Sequence, residues 1–301
     1  MVRSGMSPRV KALLCLTLAY ACALAAGVST YAHAPLSDPL WDMVIADAVG
    51  TVTIFLFSLL FRNSSFYDPY WSLGPIVMGL GWRACALAEG NDVRSVVMLV
   101  LIAAWGLRLT GNFLRGFRDL QHCDWRYRDM EARFPRIFWL VSFSGIHAFP
   151  SFLVFLGLVP VFLTFTTANA PFGVLDGLAA AITLTGILLE AVSDQQLHRF
   201  VQTNDDPQRF IDTGLWAYSR HPNYLGEVTF WWGLALFGAT STGMVGWSIA
   251  GAVTMTALFV FISIPMMDKR MLRKRPHYAA HMRRVSGLLL LPRRRLDTDS
   301  R

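Results

Sequence analysis

Twenty-five of the 27 lysines and arginines lie in five polar stretches or at their margins, and between those stretches run eight apolar segments. A bilayer core about 30 Å thick asks for roughly 20 apolar residues per helical span, at about 1.5 Å of rise per residue. Runs at 10–29, 41–61, 70–88, 93–111, 137–166, 172–192, 223–239 and 244–267 approach or exceed that length. With eight spans, both termini and the linkers 62–69, 112–136 and 193–222 share one side. The opposite linkers, 30–40, 89–92, 167–171 and 240–243, hold no Lys or Arg. The bias of basic residues toward the cytoplasm then puts both termini there. The chain is expected to be all-α, a polytopic membrane helical bundle of about seven or eight transmembrane helices, with residues 1–301 forming a single membrane-embedded domain. Pro150 and Pro160 in the fifth run predict a kink or a tilted pair of segments.

Composition agrees. With 54% hydrophobic and 16% charged residues, the chain is too apolar for a soluble globule, and 21 Phe and 10 Trp exclude disorder. Four scattered cysteines, Cys15, Cys22, Cys85 and Cys123, suggest neither a disulfide scaffold nor a metal site. The net charge of +7 arises from the linkers and does not imply nucleic acid. Arg3, Arg9 and Lys11, an apolar stretch and Ala32-His33-Ala34 resemble a cleaved leader, but Pro35 after the cut would hinder a protease, and an uncleaved first helix is expected.

Ionisable groups within spans are costly and mark functional candidates. Asp42, Asp47, Arg83, His147, Glu190 and Glu227 fall inside the runs, with Asp194 just beyond the sixth. Plainer roles compete: Asp42 and Asp176 lie at span ends within reach of headgroups, Arg83 can extend to the interface, and a neutral His147 can simply pack. The sixth run ends with Glu190, Asp194 and His198 four residues apart on one helical face. The seventh opens Ser219-Arg220-His221-Pro222-Asn223-Tyr224-Leu225-Gly226-Glu227, where Pro222 suits a first helical turn and Asn223 and Glu227 share a face. Arg220 beside that helix N-terminus is a candidate anion site, with an ordinary capped helix start as the alternative. Tyr67-Asp68-Pro69-Tyr70-Trp71 reads either as an interfacial aromatic belt or as polar handles, Asp68 and Tyr70, turned into a cavity. Arg108, Asn112 and Arg115 lie in succession on a face leaving the fourth run. The basic residues from Lys269 to Arg275, with Arg283, Arg284 and 293–295, are expected to hold anionic membrane lipid. Soluble nucleotide-binding and hydrolase motifs are absent.

Ser193-Asp194, then Arg209-Phe-Ile-Asp-Thr-Gly214-Leu-Trp216, then Ser219 to Glu227 together resemble the steroid 5-alpha-reductase family, most of all its bacterial branch. The likeness is clear from 187 to 292, read as the cofactor-binding part, with a basic, polar tail at 293–301. It is weaker through Asp68 to Trp71 and Asn112 to Tyr127. The resemblance implies an integral protein of the bacterial inner membrane, taking NADPH from the cytoplasmic side and a lipophilic substrate through the membrane. It implies cofactor contacts at Asp194, Arg209, Asn223 and Glu227, with Arg115 added from the fourth run. Arg220, His221 and Tyr224 of the same motif complete the expected set. Two departures stand out. The family's sterol reductases carry Asn where Glu190 stands here. Their Glu–Tyr pair, which holds the enone oxygen, has its Glu near Asp68 and its Tyr at an apolar position. Asp68 and Tyr70 are therefore the expected catalytic residues, Tyr70 donating to the oxygen and Asp68 orienting it or relaying a proton.

The implied activity is NADPH-dependent reduction of a conjugated carbon–carbon double bond in a steroid-like or other lipid. Two alternatives stand beside it. Membrane methyltransferases that use S-adenosylmethionine on isoprenylcysteine or phospholipid amines carry a similar Arg-His-Pro-x-Tyr-x-Gly. A non-catalytic transporter or scaffold would be favoured by an internal repeat, and none is visible.

Overall fold

A computed structural model of the chain describes residues 6–33, 36, 38–85, 92–167 and 171–294. Ala34 and Pro35 of the leader-like sequence, and the tail from Arg295 onward, lie outside them. The fold is all-α, and among the described residues six helical runs are long and apolar enough to cross a membrane: Pro8–His33, Pro39–Leu60, Val93–Gly116, Phe138–Thr166, Val174–Thr203 and Gly246–Lys274. They coincide with six of the eight expected runs. Two compact units make up the chain, Met1–Asn169 and Ala170–Arg301.

In the first unit, α1 (Pro8–His33) packs on α2 (Pro39–Leu60). Ala12, Leu16, Ala19 and Ala23, at helical spacing, form its buried seam, while Leu14, Leu18, Leu24 and Val28 point outward. A helix apolar on every side is suited to lipid rather than water. A buried 3-10 turn, Ser64–Tyr67, leads to α3 (Tyr70–Ala84), which packs against α4 (Asp92–Gly116) and α7 (Phe149–Thr167). At 15 residues, α3 is shorter than the predicted third span. Two short helices come after α4: α5 (Trp125–Arg133) and α6 (Phe138–Val141). A π turn, Ser142–Ala148, joins α6 to α7, so the expected kink is replaced by a local widening of one continuous run. The proline explains it. Pro150 has no N–H for the carbonyl one turn back, and a wider winding accommodates the missing bond.

In the second unit, α8 (Val174–Thr203) lies along α9 (Pro222–Thr242) in the most extensive helix pairing among the described residues. Hydropathy ends the sixth run at 192, yet α8 continues to Thr203, because Asp194-Gln-Gln-Leu is polar but compatible with a helix. Next come α10 (Ala250–Leu258), a second π turn (Phe259–Ser263), α11 (Ile264–Lys274) and α12 (Tyr278–Arg284). This π turn also ends two residues before a proline, Pro265. The chain after α12 runs beside residues 217–220, joined by Arg220 N–H to the Ser286 carbonyl at 2.9 Å and Leu291 N–H to the Tyr218 carbonyl at 3.2 Å.

Candidate functional site

The α8–α9 pair meets backbone to backbone at glycines. A Cβ on Gly186 would lie 2.5 Å from the Phe230 nitrogen and 2.6 Å from the Gly226 carbonyl oxygen. One on Gly226 would lie 2.5 Å from Glu190 Cγ, so the seam presses the Glu190 side chain against the first turns of α9. Glu190 and Glu227 are both buried there, and Trp231 donates its indole N–H to Glu227 Oε1 at 2.9 Å. At the far end Asp176 is buried rather than among headgroups. It accepts from Gly173 N–H and from Thr240 Oγ1, each at 2.8 Å, and so ties the start of α8 to the end of α9.

Asn223 is the second residue of α9, and its side-chain oxygen is buried with no donor reaching it. A buried amide oxygen left without a hydrogen bond costs about 1–3 kcal/mol, which a ligand N–H or O–H would offset. Asp194 is half-buried on α8, and Arg209 is exposed on the linker, its side chain available to solvent. His198 is exposed and meets Gln202 Nε2 at 2.9 Å.

Arg220, expected as an anion site, has an anion of its own. Its Nη2 and Nε bind Asp268 Oδ2 and Oδ1 at 2.7 and 3.2 Å, and Nη1 donates to the carbonyls of Val285 (2.6 Å) and Met282 (3.2 Å). All three guanidinium nitrogens thus work inside the unit, clasping α9 to α11 and to the end of α12. His221 Nε2 lies 3.2 Å from Asp268 Oδ1 and its ring stacks on Tyr224, with centroids 5.1 Å apart and planes 10° apart. Tyr278 adds its hydroxyl to Asp268 at 3.5 Å. Asp268 is the hub here, and its one trace in the sequence is being the lone acid ahead of a basic run. Beside it Phe210 packs on His277, Tyr278 and His281, and burial pulls the His281 imidazole down to about 4. Arg293 donates to the carbonyls of Ala217 and Asp212, so part of the basic tail holds the linker.

The first unit contains a second polar centre. Residues Asn63 to Tyr67 are almost fully enclosed, so Tyr67 is no member of an interfacial belt. Asn63 donates to the Leu120 and His122 carbonyls at 2.8 and 3.0 Å, and Ser64 meets Ser142 at 2.8 Å. The expected pairing of Asp68 with Tyr70 does not form. Asp68 accepts from the Tyr127 hydroxyl of α5 at 2.5 Å, while Tyr70 donates to the side chain of Asp47 at 3.0 Å and to its carbonyl at 3.1 Å. The cause is steric: Gly50 leaves room on α2 for the Tyr70 phenol, whose Cζ would lie 3.3 Å from any Cβ there. Burial pushes the Asp68 carboxyl up to about 6, against the opposing pull of the Arg126 charge and the Tyr127 hydrogen bond. Arg115 ends α4, exposed, with Nη1 3.4 Å from Asn112 Oδ1.

Among known proteins, the uncharacterized protein C594.04c of Schizosaccharomyces pombe is 26% identical over 247 residues, covering 74% of this chain and 72% of that one. No solved structure matches the chain significantly. Residues 54–285 match a family described as protein of unknown function, DUF1295. That stretch takes in most of both polar centres, though not Asp47 or Arg293, and well over half the sequence, and the chain belongs to the DUF1295 family.

Proposed function

We propose that this membrane protein reduces a carbon–carbon double bond conjugated to a carbonyl in a lipophilic substrate, using NADPH. The observation that carries the reading is the buried, donor-less oxygen of Asn223 on the first turn of α9, flanked in sequence by Tyr224 and Glu227. A carboxamide or ribose group has the N–H or O–H that such an acceptor lacks. Asn223, Glu227 and Asp194 would hold those neutral parts, and the exposed Arg209 would meet a phosphate. His221 and Tyr224 would act as a stacked platform, with Arg220 bracing it from behind. The likeness of 187–292 to the steroid 5-alpha-reductase family supports the same assignment.

When bound, NADPH supplies hydride; the protein supplies orientation, exclusion of water and a proton. Two tyrosine–carboxylate pairs in the first unit, Tyr70 with Asp47 and Tyr127 with Asp68, have the chemistry to handle a proton. A carboxyl poised at about 6 can both give and take a proton near neutrality. The substrate class is lipid-like, and the basic residues of the C-terminal region would meet anionic lipid headgroups.

The test is binding of NADPH to detergent-solubilised protein, monitored by quenching of tryptophan fluorescence and by the melting temperature. Asn223→Ala is expected to weaken binding about three- to tenfold, the worth of one hydrogen bond. No binding at millimolar NADPH rejects the proposal. One observation favours a second reading: the engagement of Arg220 within the unit leaves fewer cations for phosphates, as suits a methyltransferase using S-adenosylmethionine. Displacement of a bound probe by S-adenosylhomocysteine but not by NADP+ would select it.

A further inference from the structure

One face of α2 carries the half-buried Asp47, the buried Thr51 four residues on and the buried Ser58 seven beyond that, polar groups in a helix otherwise apolar enough to span a membrane. Along it, hydroxyl groups join head to tail. Tyr67 Oη lies 2.9 Å from Ser151 Oγ of α7, and Ser151 Oγ lies 3.0 Å from Thr51 Oγ1. The Tyr70 phenol interacts with Thr51 next along the row and donates to Asp47 Oδ1 at 3.0 Å. A hydroxyl can accept from one neighbour while donating to the next, so the whole row can point its protons at the carboxylate. Thr51, Tyr67 and Ser151 are all buried away from bulk water. A carboxylate within a spanning helix, at the end of an enclosed row of hydroxyls, has the parts of a proton path and no packing need for them.

We propose that Asp47, Tyr70, Thr51, Ser151 and Tyr67 form a proton relay with Asp47 as its store. The proposal rests on the reductase reading and deepens it. Saturating one double bond takes a hydride, which NADPH gives as it becomes NADP+, and one proton. Asp47 passes its proton to the Tyr70 oxygen, each hydroxyl hands on its own, and Tyr67 releases one at the other end. Asp47 is left as the carboxylate until water returns a proton and the hydroxyls turn back. The titratable groups around this row are Tyr20 from α1, Asp68 after the buried turn, Tyr127 from α5 and His147 from the π turn, whose ring centroid is 5.0 Å from that of Tyr67.

The test uses full-length protein in nanodiscs, with Asp47→Asn, Thr51→Val and Ser151→Ala. NADPH consumption is measured with a panel of lipophilic enones, across pH and in deuterated water, alongside infrared difference spectra of the carboxylic acid C=O stretch. Each variant is expected to bind NADPH as the parent does and to turn over at least about tenfold more slowly. Asp47→Asn should also lose the alkaline limb of the pH profile. Parental rates and pH profiles in Asp47→Asn and Thr51→Val overturn the relay. If the parent consumes no NADPH with any enone, the reductase reading fails and the infrared arm decides the relay alone. A protonated carboxyl band lost in Asp47→Asn and shifted in Thr51→Val supports it, and absence or constancy of that band overturns it. Should Asp47→Asn not fold, the two hydroxyl variants carry the same comparison.

Discussion

The buried charges of Arg220 and Asp268 answer each other within the second unit, and the consequences can be measured residue by residue. Removing one member of the Arg220–Asp268 pair strands the other away from water. Arg220→Ala or Asp268→Ala should each cost about 3–5 kcal/mol in reversible unfolding, with the double variant losing less than the two together. Asp68 gives a pH test. Its carboxyl is raised in the folded protein from the ordinary range near 4 to about 6, so the folded state binds the proton more tightly than the unfolded chain. The resulting stability is whole below about pH 4 and is lost as pH climbs through about 6. His281, pulled down to about 4, contributes the opposite slope over the same window, so the melting temperature of the parent is expected to fall with pH relative to that of Asp68→Asn. Asn223, Tyr224 and Glu227 were legible because one helical turn of sequence holds them all. Asp268 was not, since its partners Arg220 and His221 lie 48 and 47 positions away and no period links them. Tyr70 and Asp47, 23 positions apart, were hidden for the same reason.

Among the elements, the α8–α9 seam is the most exacting. Around Gly186 its contact is backbone on backbone, against the Phe230 nitrogen and the Gly226 carbonyl, and Gly226 faces the Gly186 carbonyl and the Glu190 side chain. Gly186→Leu should force the helices apart, lower stability by about 1–3 kcal/mol or more, and weaken ligand binding at Asn223 in parallel. Gly177, with open space where its Cβ would point, should accept Ala without loss. Melting curves and binding isotherms on the same samples separate the two cases. Apolar length located the helices well, because burial in lipid needs nothing subtler. It located their ends poorly: α8 outlasts its apolar run, and α3 stops before its own does.

Across the whole chain, the segregation of basic residues makes a statement about sidedness that does not depend on the fold. Reporter fusions at the C-terminus and at Gly243 should report opposite compartments, the first cytoplasmic, by fluorescence of one reporter and phosphatase activity of another. The all-α bundle was readable because few backbones satisfy their own hydrogen bonds in a bilayer; the division into two units was not, because apolar runs look alike on either side of it. The two wide turns, Ser142–Ala148 and Phe259–Ser263, each set the angular phase of the helix downstream. Excising one residue from either would restore tighter winding but rotate that helix by about 100° about its axis. In the first unit Ser151 would swing away from Thr51, and in the second Asp268 from Arg220, so a chain one amino acid shorter would keep its greasy exterior while its interior hydrogen bonding came apart.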